Sequence, residues 1–452
     1  VRPRRLVAGV MLGTLLNALN SSMIALALVP IARHYGTGLA TAVWLVSGFY
    51  LAATVCLPLM GRLADRFGPR RVFVSGLALV CATCALAPLA PNMGVLIAAR
   101  VLLAVGTSVA FPSAMAVLRA ALPGGPPQSA LAMIAAANSA SAAFGPVIGG
   151  VLVQTWGWQA IWLVNVPVTL AGIALALALL PKAPPSAAEP GPGALAGLDL
   201  PGIAAFVLAM GGLIGFLLSV AAAPEWVLLP LAAAGAAALV RRELRTAHPF
   251  LDLRMLGANR RLLGVFAQNA AVNVVFYLGF IGLPQWLQAA RGDSAGAAGL
   301  AVLPIAGVGV LAMPLVTRLL RRNGEGVVLT VGSLALLAGS LGLLLAHADT
   351  PLLLLLPLTL LLGVPNAFNN LGLQSAMYRA APGEQIGVAA GLFQTFRYVG
   401  SIGASVVVGV VFTHEVTDAG LRQIALVMAA VSAVLVVVSA RGARGAAAPP
   451  DR

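Results

Sequence analysis

An all-α, polytopic membrane protein with fourteen crossings is the fold class that this sequence predicts, on three observations. Apolar runs of ~20 residues, the length that crosses a bilayer core, recur from one end of the chain to the other. Charged residues make up only 9 % of the chain, too few to cover a water-soluble surface of this length. The charge that is present is one-sided, with 27 Lys and Arg against 13 Asp and Glu, and it is concentrated in alternate loops. The basic balance could suggest nucleic acid, but topology explains it better, and no nucleic-acid partner is expected.

Taken in order, the first span, Leu6–Val29, follows a basic start. Its apolar run is too long for a removable leader, and no small-residue cleavage site precedes the next polar stretch. Thr41–Met60 and Val72–Ala90 flank a short basic turn, and Gly94–Leu118, Ser129–Gln154 and Trp158–Leu180 complete a first block of six. Pro181 to Leu198 is rich in Pro, Ala and Gly and reads as a flexible linker. Leu200–Val220 and Glu225–Val240 hold almost no polar side chain, so they can face lipid all round. A basic loop, Arg241 to Arg261, leads into Leu263–Leu287, Ser294–Leu319, Gly326–Ala346, Pro351–Tyr378, Gln385–Phe412 and Leu421–Ala440. Three blocks result: residues 1–180 as a six-helix half, 181–262 as linker, two accessory helices and basic loop, and 263–452 as a second six-helix half.

With the N-terminus inside, the cytoplasmic side collects Arg62, Arg66, Arg70, Arg119, Arg241, Arg242, Arg260, Arg261 and Arg379 among many others. The outside keeps Arg33, Arg291 and Arg422. That asymmetry supports an even span count with both termini cytoplasmic. Lys182 is the sole lysine among many arginines, which fits a GC-rich bacterial genome and hence a bacterial inner membrane. Cys81 and Cys84 have the spacing of a redox or zinc pair. Inside an apolar helix, without His or acidic neighbours, they and Cys56 read as small packing residues; no metal and no cofactor is expected.

The two six-span blocks look like distant copies. Span four ends Ser113-Ala114-Met115 before Arg119-Ala120-Ala121, and span twelve ends Ser375-Ala376-Met377 before Arg379-Ala380-Ala381. The sharpest motif is the turn Gly61-Arg62-Leu63-Ala64-Asp65-Arg66-Phe67-Gly68-Pro69-Arg70-Arg71. Gly61 allows close helix approach, Gly68 allows a positive φ, and Asp65 can cap a helix and pair with arginine. This run resembles, nearly position for position, the loop signature of the major facilitator superfamily. The resemblance implies two parallel six-helix halves around a central cavity. It also implies that Gly61, Asp65, Arg66, Gly68 and Arg70 gate a conformational change, with Arg119 as an ion-pair partner for Asp65.

In span five, Phe144-Gly145-Pro146-Val147-Ile148-Gly149-Gly150 combines a proline that removes a backbone donor with glycines that admit a neighbouring helix. It resembles the antiporter motif of exporters in that superfamily, with Ser141 where the motif's first glycine stands; the alternative is a generic glycine-packed helix. Trp156-Gly157-Trp158-Gln159-Ala160-Ile161-Trp162-Leu163-Val164-Asn165-Val166-Pro167 looks like the start of span six in fourteen-span drug exporters of the QacA/EmrB kind. Asp199-Leu200-Pro201-Gly202 and Arg397-Tyr398-Val399-Gly400 are similar to that branch. The chain departs from it at Asn20, where members with a first-span acidic motif carry Asp, and at Leu103 and Ala104, which follow the family's buried arginine, Arg100.

Apart from Glu225, at the outer rim of its span, no Asp or Glu lies inside any span, yet Arg100 and Arg397 do. A charge there costs a few kcal/mol on insertion scales and must face a cavity or find partners, for which Asn17, Asn20 and Gln394 are candidates. In this superfamily the leading helix of each three-helix unit lines the cavity, which selects spans one, four, nine and twelve. Their polar residues fall at helical spacing: Asn17 and Ser21 beside Asn20; Asn269, Asn273 and Tyr277; Asn366, Asn369 and Asn370. The alternative for these amides is interhelical hydrogen-bond glue without substrate contact. Arginine stays protonated at physiological pH, so neither intramembrane arginine serves as an ordinary proton carrier.

The resemblance therefore implies a secondary transporter, not an enzyme, that exports a small amphiphilic molecule by alternating access as a monomer in the lipid bilayer. Protons are the candidate coupling ion. No phosphate-binding loop for ATP is present, and no His/Asp/Glu cluster within membrane reach supports catalysis. Two rivals stand: a metabolite uniporter or importer, favoured by the missing carboxylate, and a transport-dead sensor, disfavoured by the gating loop.

Overall fold

The computed structural model describes residues 3–121, 128–181, 199–219, 223–246, 253–381 and 386–447. Among them every regular element is helical. The order is α1 (Pro3–Tyr35), α2 (Leu39–Ala42), α3 (Trp44–Phe67), α4 (Pro69–Leu86), α5 (Met93–Ser108), α6 (Ala110–Ala121), α7 (Gln128–Trp156), α8 (Ala160–Leu163), α9 (Asn165–Leu179), α10 (Leu200–Ser219) and α11 (Leu228–Glu243). Then follow α12 (Leu253–Ala258), α13 (Arg260–Tyr277), a π-turn (Leu278–Gly282), α14 (Leu283–Ala289), α15 (Ala295–Leu343), α16 (Leu352–Gly363), α17 (Pro365–Ala380), α18 (Ile386–Val411) and α19 (Asp418–Ala447). Among the described residues ten helices are long and apolar enough to cross a membrane. One of them, α15, runs for 49 residues but turns at Gly324, whose φ of 76° and ψ of 177° leave the helical region. The tenth and eleventh spans expected from the sequence both fall inside it.

The chain divides into two compact units. One holds Val1–Thr37, Trp44–Phe216 and Glu225–Phe250; the other holds Gly38–Val43, Leu217–Pro224 and Leu251–Arg452. In lipid the hydrophobic effect does not drive helices together, so close approach over small residues has to. In the first unit α1 lies along α7 and α9, α3 along α5, and α4 along α5 and α9. Gly76 of α4 and Gly106 of α5 face each other so closely that a Cβ on either would sit 2.9–3.0 Å from the other's carbonyl oxygen. Gly235 of α11 meets the backbone of Ala209 in α10 in the same way. The Asp199 carboxylate, wholly buried, caps α10 by accepting from the amide of Gly202 (3.1 Å). It also accepts from Arg242 Nε (2.8 Å), which joins the starting end of α10 to the finishing end of α11. The three cysteines are free; Cys56 packs with Met60, Ala64, Val72 and Val109.

In the second unit α15 is the hub, lying against α16, α17 and α19, while α13 lies against α17 and α18. The π-turn after α13 has a local cause. Pro284 has no N–H to donate back to Phe280, and the flanking Gly279 and Gly282 let the widened turn bury against Leu362 and Ile424.

Candidate functional site

In the first unit the buried arginine is resolved without an acid. Asn92 caps α5 through its side-chain oxygen, which accepts from Val95 N at 3.0 Å, and Arg100 sits two turns further on, only 2 % exposed. Its Nη2 donates to the carbonyl of Asn20 (2.7 Å) and its Nε to the carbonyl of Leu45 (3.1 Å). The guanidinium lies over the rings of Phe49 (4.6 Å) and Trp162 (5.7 Å), whose faces are electron-rich. Asn20 is the expected partner, but through its backbone. Its side chain instead forms a reciprocal amide pair with Asn165: Nδ2 donates to Asn165 Oδ1 (2.8 Å) and Oδ1 accepts from Asn165 Nδ2 (3.1 Å). Asn165 also reaches the carbonyl of Ile161 (2.8 Å). Helices α1, α3, α5 and α8 thus meet at one charge, and the Asn20–Asn165 pair ties α9 to α1 beside it. Asn165 was not picked out as a site residue; a lone amide between Val164 and Val166 was the available signal.

The glycine–proline motif lies in α7 against α1. A Cβ on Gly149 would sit 2.9 Å from Met23 Cα, and one on Gly145 would run into the Ser22 side chain. Ser141 Oγ donates to the carbonyl of Leu15 (3.2 Å), so the motif's first position also grips α1. Gly150 is buried beside Gly149, Pro146 lies inside the helix, and Phe144 on the far face is exposed.

The expected gating turn joins α3 to α4. Gly68 adopts φ 90°, ψ 128°, a conformation that glycine alone takes without strain, and Pro69 opens α4. Arg70 donates to the carbonyl of Leu177 in the last turn of α9, where a helix end favours positive charge. Gly61, Asp65 and Arg66 lie in α3 and Arg119 in α6, but the surroundings of Gly61 and the side chains of the other three, like that of Asn17, are not among those described. Ser21 is half-buried in α1.

In the second unit, Asn269, Val272, Asn273 and Phe276 of α13, Pro365, Asn366 and Asn370 of α17, and Arg397 of α18 line one pocket. Its enclosed volume is about 20 Å³, room for little more than one water, and it widens toward an open mouth. Asn273 Nδ2 donates to the carbonyl (2.8 Å) and side-chain oxygen (3.1 Å) of Asn269. Asn269 Nδ2 in turn holds the carbonyl of Phe393 (2.7 Å). The lining therefore offers four carboxamides, one guanidinium and one aromatic face, and no carboxylate. Three expected residues stand elsewhere. Asn369 donates to Ser333 Oγ (3.1 Å), itself beside Ser439, which joins α17, α15 and α19. Tyr277 packs edge-on against Phe276. Gln394 hydrogen-bonds Tyr398, next to Arg397.

A charge cluster missed in the sequence sits at the kink of α15. Glu325 pairs with Arg379, at the end of α17, and with Arg261 (3.8 Å), at the start of α13. Asn259 caps α13 through Leu262 N (3.0 Å) and donates to the carbonyl of Ala380 (2.9 Å). A single acid in the otherwise basic stretch Thr317–Gly326 was the signal. Arg379 matches Arg119 in the internal repeat, for which Asp65 is the expected partner, but Glu325 follows the positive-φ Gly324 as Pro69 follows Gly68, so the acid that Arg379 meets comes from a different position of the turn. Both arginines are more than half exposed, so Glu325→Gln should change unfolding free energy by less than ~1 kcal/mol. If the cluster is a latch, the same change should alter the transport rate several-fold; an unchanged rate in reconstituted vesicles would make it a surface ion pair only.

The family model of the Major Facilitator Superfamily matches residues 10–405. A Bacillus subtilis protein described as an uncharacterized MFS-type transporter, YwoD, is 36 % identical over 92 % of each chain. The tetracenomycin C resistance and export protein of Streptomyces glaucescens is 31 % identical over 92 % of this chain and 77 % of its own. Among solved structures, the nucleoside transporter NupG superposes with a TM-score of 0.67 at 14 % identity, covering 97 % and 98 % of the two chains, which shows the fold alone. The chain belongs to the Major Facilitator Superfamily.

Proposed function

We infer that this protein is a secondary transporter of a bacterial inner membrane. On this reading it exports small amphiphilic molecules, antibiotics among them, by alternating access between two six-helix halves. Similarity to a tetracenomycin C exporter supports export, as does the contact of the glycine–proline motif with α1. Fourteen crossings, with both termini cytoplasmic, are part of the reading. To the ten apolar helices they add the second half of α15 beyond Gly324, together with α7, α11 and α18.

The observation that carries the reading is the second unit's pocket, where Asn269, Asn273, Asn366, Asn370 and Arg397 converge without an acid. Such a lining recognises carbonyl, hydroxyl and anionic groups and disfavours lipophilic dications. Arg100, locked into carbonyls and aromatic faces, organises the first unit and makes no substrate contact. The lack of a carboxylate inside the spans favours a second reading, in which transport follows the substrate gradient or the membrane potential and not protons.

The test uses purified protein in liposomes, with uptake of tetracenomycin C, a lipophilic cation and an anionic amphiphile under ΔpH or Δψ imposed separately. Export of tetracenomycin C and of the anionic amphiphile, with little of the cation, is expected. Cation transport at equal rate would overturn the charge argument. Drive by ΔpH would assign proton antiport, and response to Δψ or the substrate gradient alone would favour the second reading.

A further inference from the structure

Gln285, in α14, is 0 % exposed, and neither its amide nitrogen nor its oxygen finds a hydrogen-bond partner among the described residues. A fully buried carboxamide with both ends unanswered costs several kcal/mol on transfer scales, and such groups are rare in folded proteins. Packing alone gives no reason to keep one there, since leucine fills similar volume without the penalty.

Its position in the helix gives a reason. The residues of α13 that line the pocket, Asn269, Val272, Asn273 and Phe276, occupy one face. At 100° per residue they spread from about −60° to about +40° around Asn269. Were the helix uninterrupted, Gln285 and Gln288 would fall near 160° and 100°, off that face. The π-turn at Leu278–Gly282 absorbs one extra residue. It brings Gln285 to about 60° and Gln288 to about 0°, back in register with the pocket. Gln288 is also buried, and its Nε2 is turned back onto the carbonyl of Pro284 (3.2 Å). Two amide pairs, Asn269 with Asn273 and Gln285 with Gln288, therefore share one face of α13 and α14, with Phe276 and Pro284 between them.

We propose that this face is the exit track of the second unit, and that Gln285 and Gln288 are its outer stations. They are sealed in the conformation seen here. In the alternate state they open to water and to the hydroxyl, carbonyl or amide groups of the departing molecule. A carboxamide suits that task because it both donates and accepts and carries no charge that would trap a ligand. The inference rests on the export reading, which sets the direction of travel.

The experiment places single cysteines at Gln285, Gln288, Leu283, Leu287 and Asn273 in the full chain. Intact cells are treated with a membrane-impermeant cationic methanethiosulfonate. The parent chain, whose three cysteines lie in the apolar helices, is the blank. Loss of the free thiol is expected at Gln285→Cys and Gln288→Cys. Retention is expected at Leu283→Cys, which the same register turns to about −140°, the opposite face, and at Leu287→Cys, which it leaves at about −100°, off the face of the two glutamines. Silence at either glutamine position, or equal labelling of the leucine positions, overturns the exit track. The two glutamine variants are independent, so failure of one to reach the membrane leaves the other decisive. Asn273→Cys, treated in inverted vesicles, separates the two readings. Labelling there with silent glutamine positions sinks the track alone, and silence at all three sinks the pocket as well.

Discussion

Arg100→Ala is expected to lower the unfolding temperature of the purified protein more than any other single truncation in the first unit, and to abolish transport. The side chain is among the largest that are fully buried, and it joins carbonyls of α1 and α3 to α5 between two aromatic rings. Truncating a buried side chain of comparable bulk costs on the order of 3–5 kcal/mol. Two charge-assisted hydrogen bonds, each about 1.5–3 kcal/mol, go with it. Arg100→Met separates the contributions, because it refills most of the volume and removes the buried charge. Exchanging a buried ionic group for an apolar one of similar size is often near neutral. Arg100→Met should therefore recover much of the lost stability while leaving the Asn20 and Leu45 carbonyls without their donor. Arg100→Lys keeps a charge but not the planar fork, and should fall between the two. Thermal unfolding in detergent checks all three. An alanine variant that melts with the parent would show that Arg100 does not hold the unit together.

Gly149→Leu is expected to remove transport entirely, and Gly149→Ala to reduce it strongly, with the chain still reaching the membrane. The obstacle that a Cβ would meet is backbone, with Met23 Cα at 2.9 Å and Met23 O at 3.1 Å, so α7 must move away from α1. Overpacking of this kind typically costs 1–3 kcal/mol, roughly, for the first added carbon and more beyond it. Gly145 offers an internal control, because there the obstacle is the Ser22 side chain. Ser22→Gly should rescue Gly145→Ala, a coupling that a double-mutant cycle measures as non-additivity. No trimming of the Met23 side chain should rescue Gly149→Ala. Full activity of Gly149→Ala, or its rescue by Met23→Ala, would show that the close contact is not required.

Much of the architecture was legible because a bilayer restricts the options. A chain crossing hydrocarbon must satisfy its backbone within each helix, so apolar length alone leads to helices, while arginine placement supplies the expected sidedness. The motifs were legible for a related reason. Gly68 and the Gly145–Gly150 segment do their work through backbone shape and the absence of a side chain, which the letters state directly. Boundaries fared less well at Gly324, where a turn between two expected spans is narrow enough that one helical element runs through it.

The site residues were legible as a set of types but not as a set of partners. Helical spacing brought Asn269, Asn273, Asn366, Asn370 and Arg397 into consideration, and the second unit gathers them around one pocket. The same spacing offered Asn369 and Tyr277, and packing turned those two to other tasks. Asn165 and Glu325 were passed over because each acts on residues far along the chain. Composition and periodicity by themselves determined the class of the protein, the positive-φ turn at Gly68 and the scarcity of acids in the spans, and they set the expected number of crossings. Each of these depends on a local property of the chain: hydropathy, charge or backbone freedom. Tertiary structure alone decided which carbonyls neutralise Arg100, which amides face the pocket and which bind helices together. It also decided how one wide turn returns Gln285 to the pocket's face, because a side chain's partner is set by the helix that packs against it and not by its neighbours in sequence.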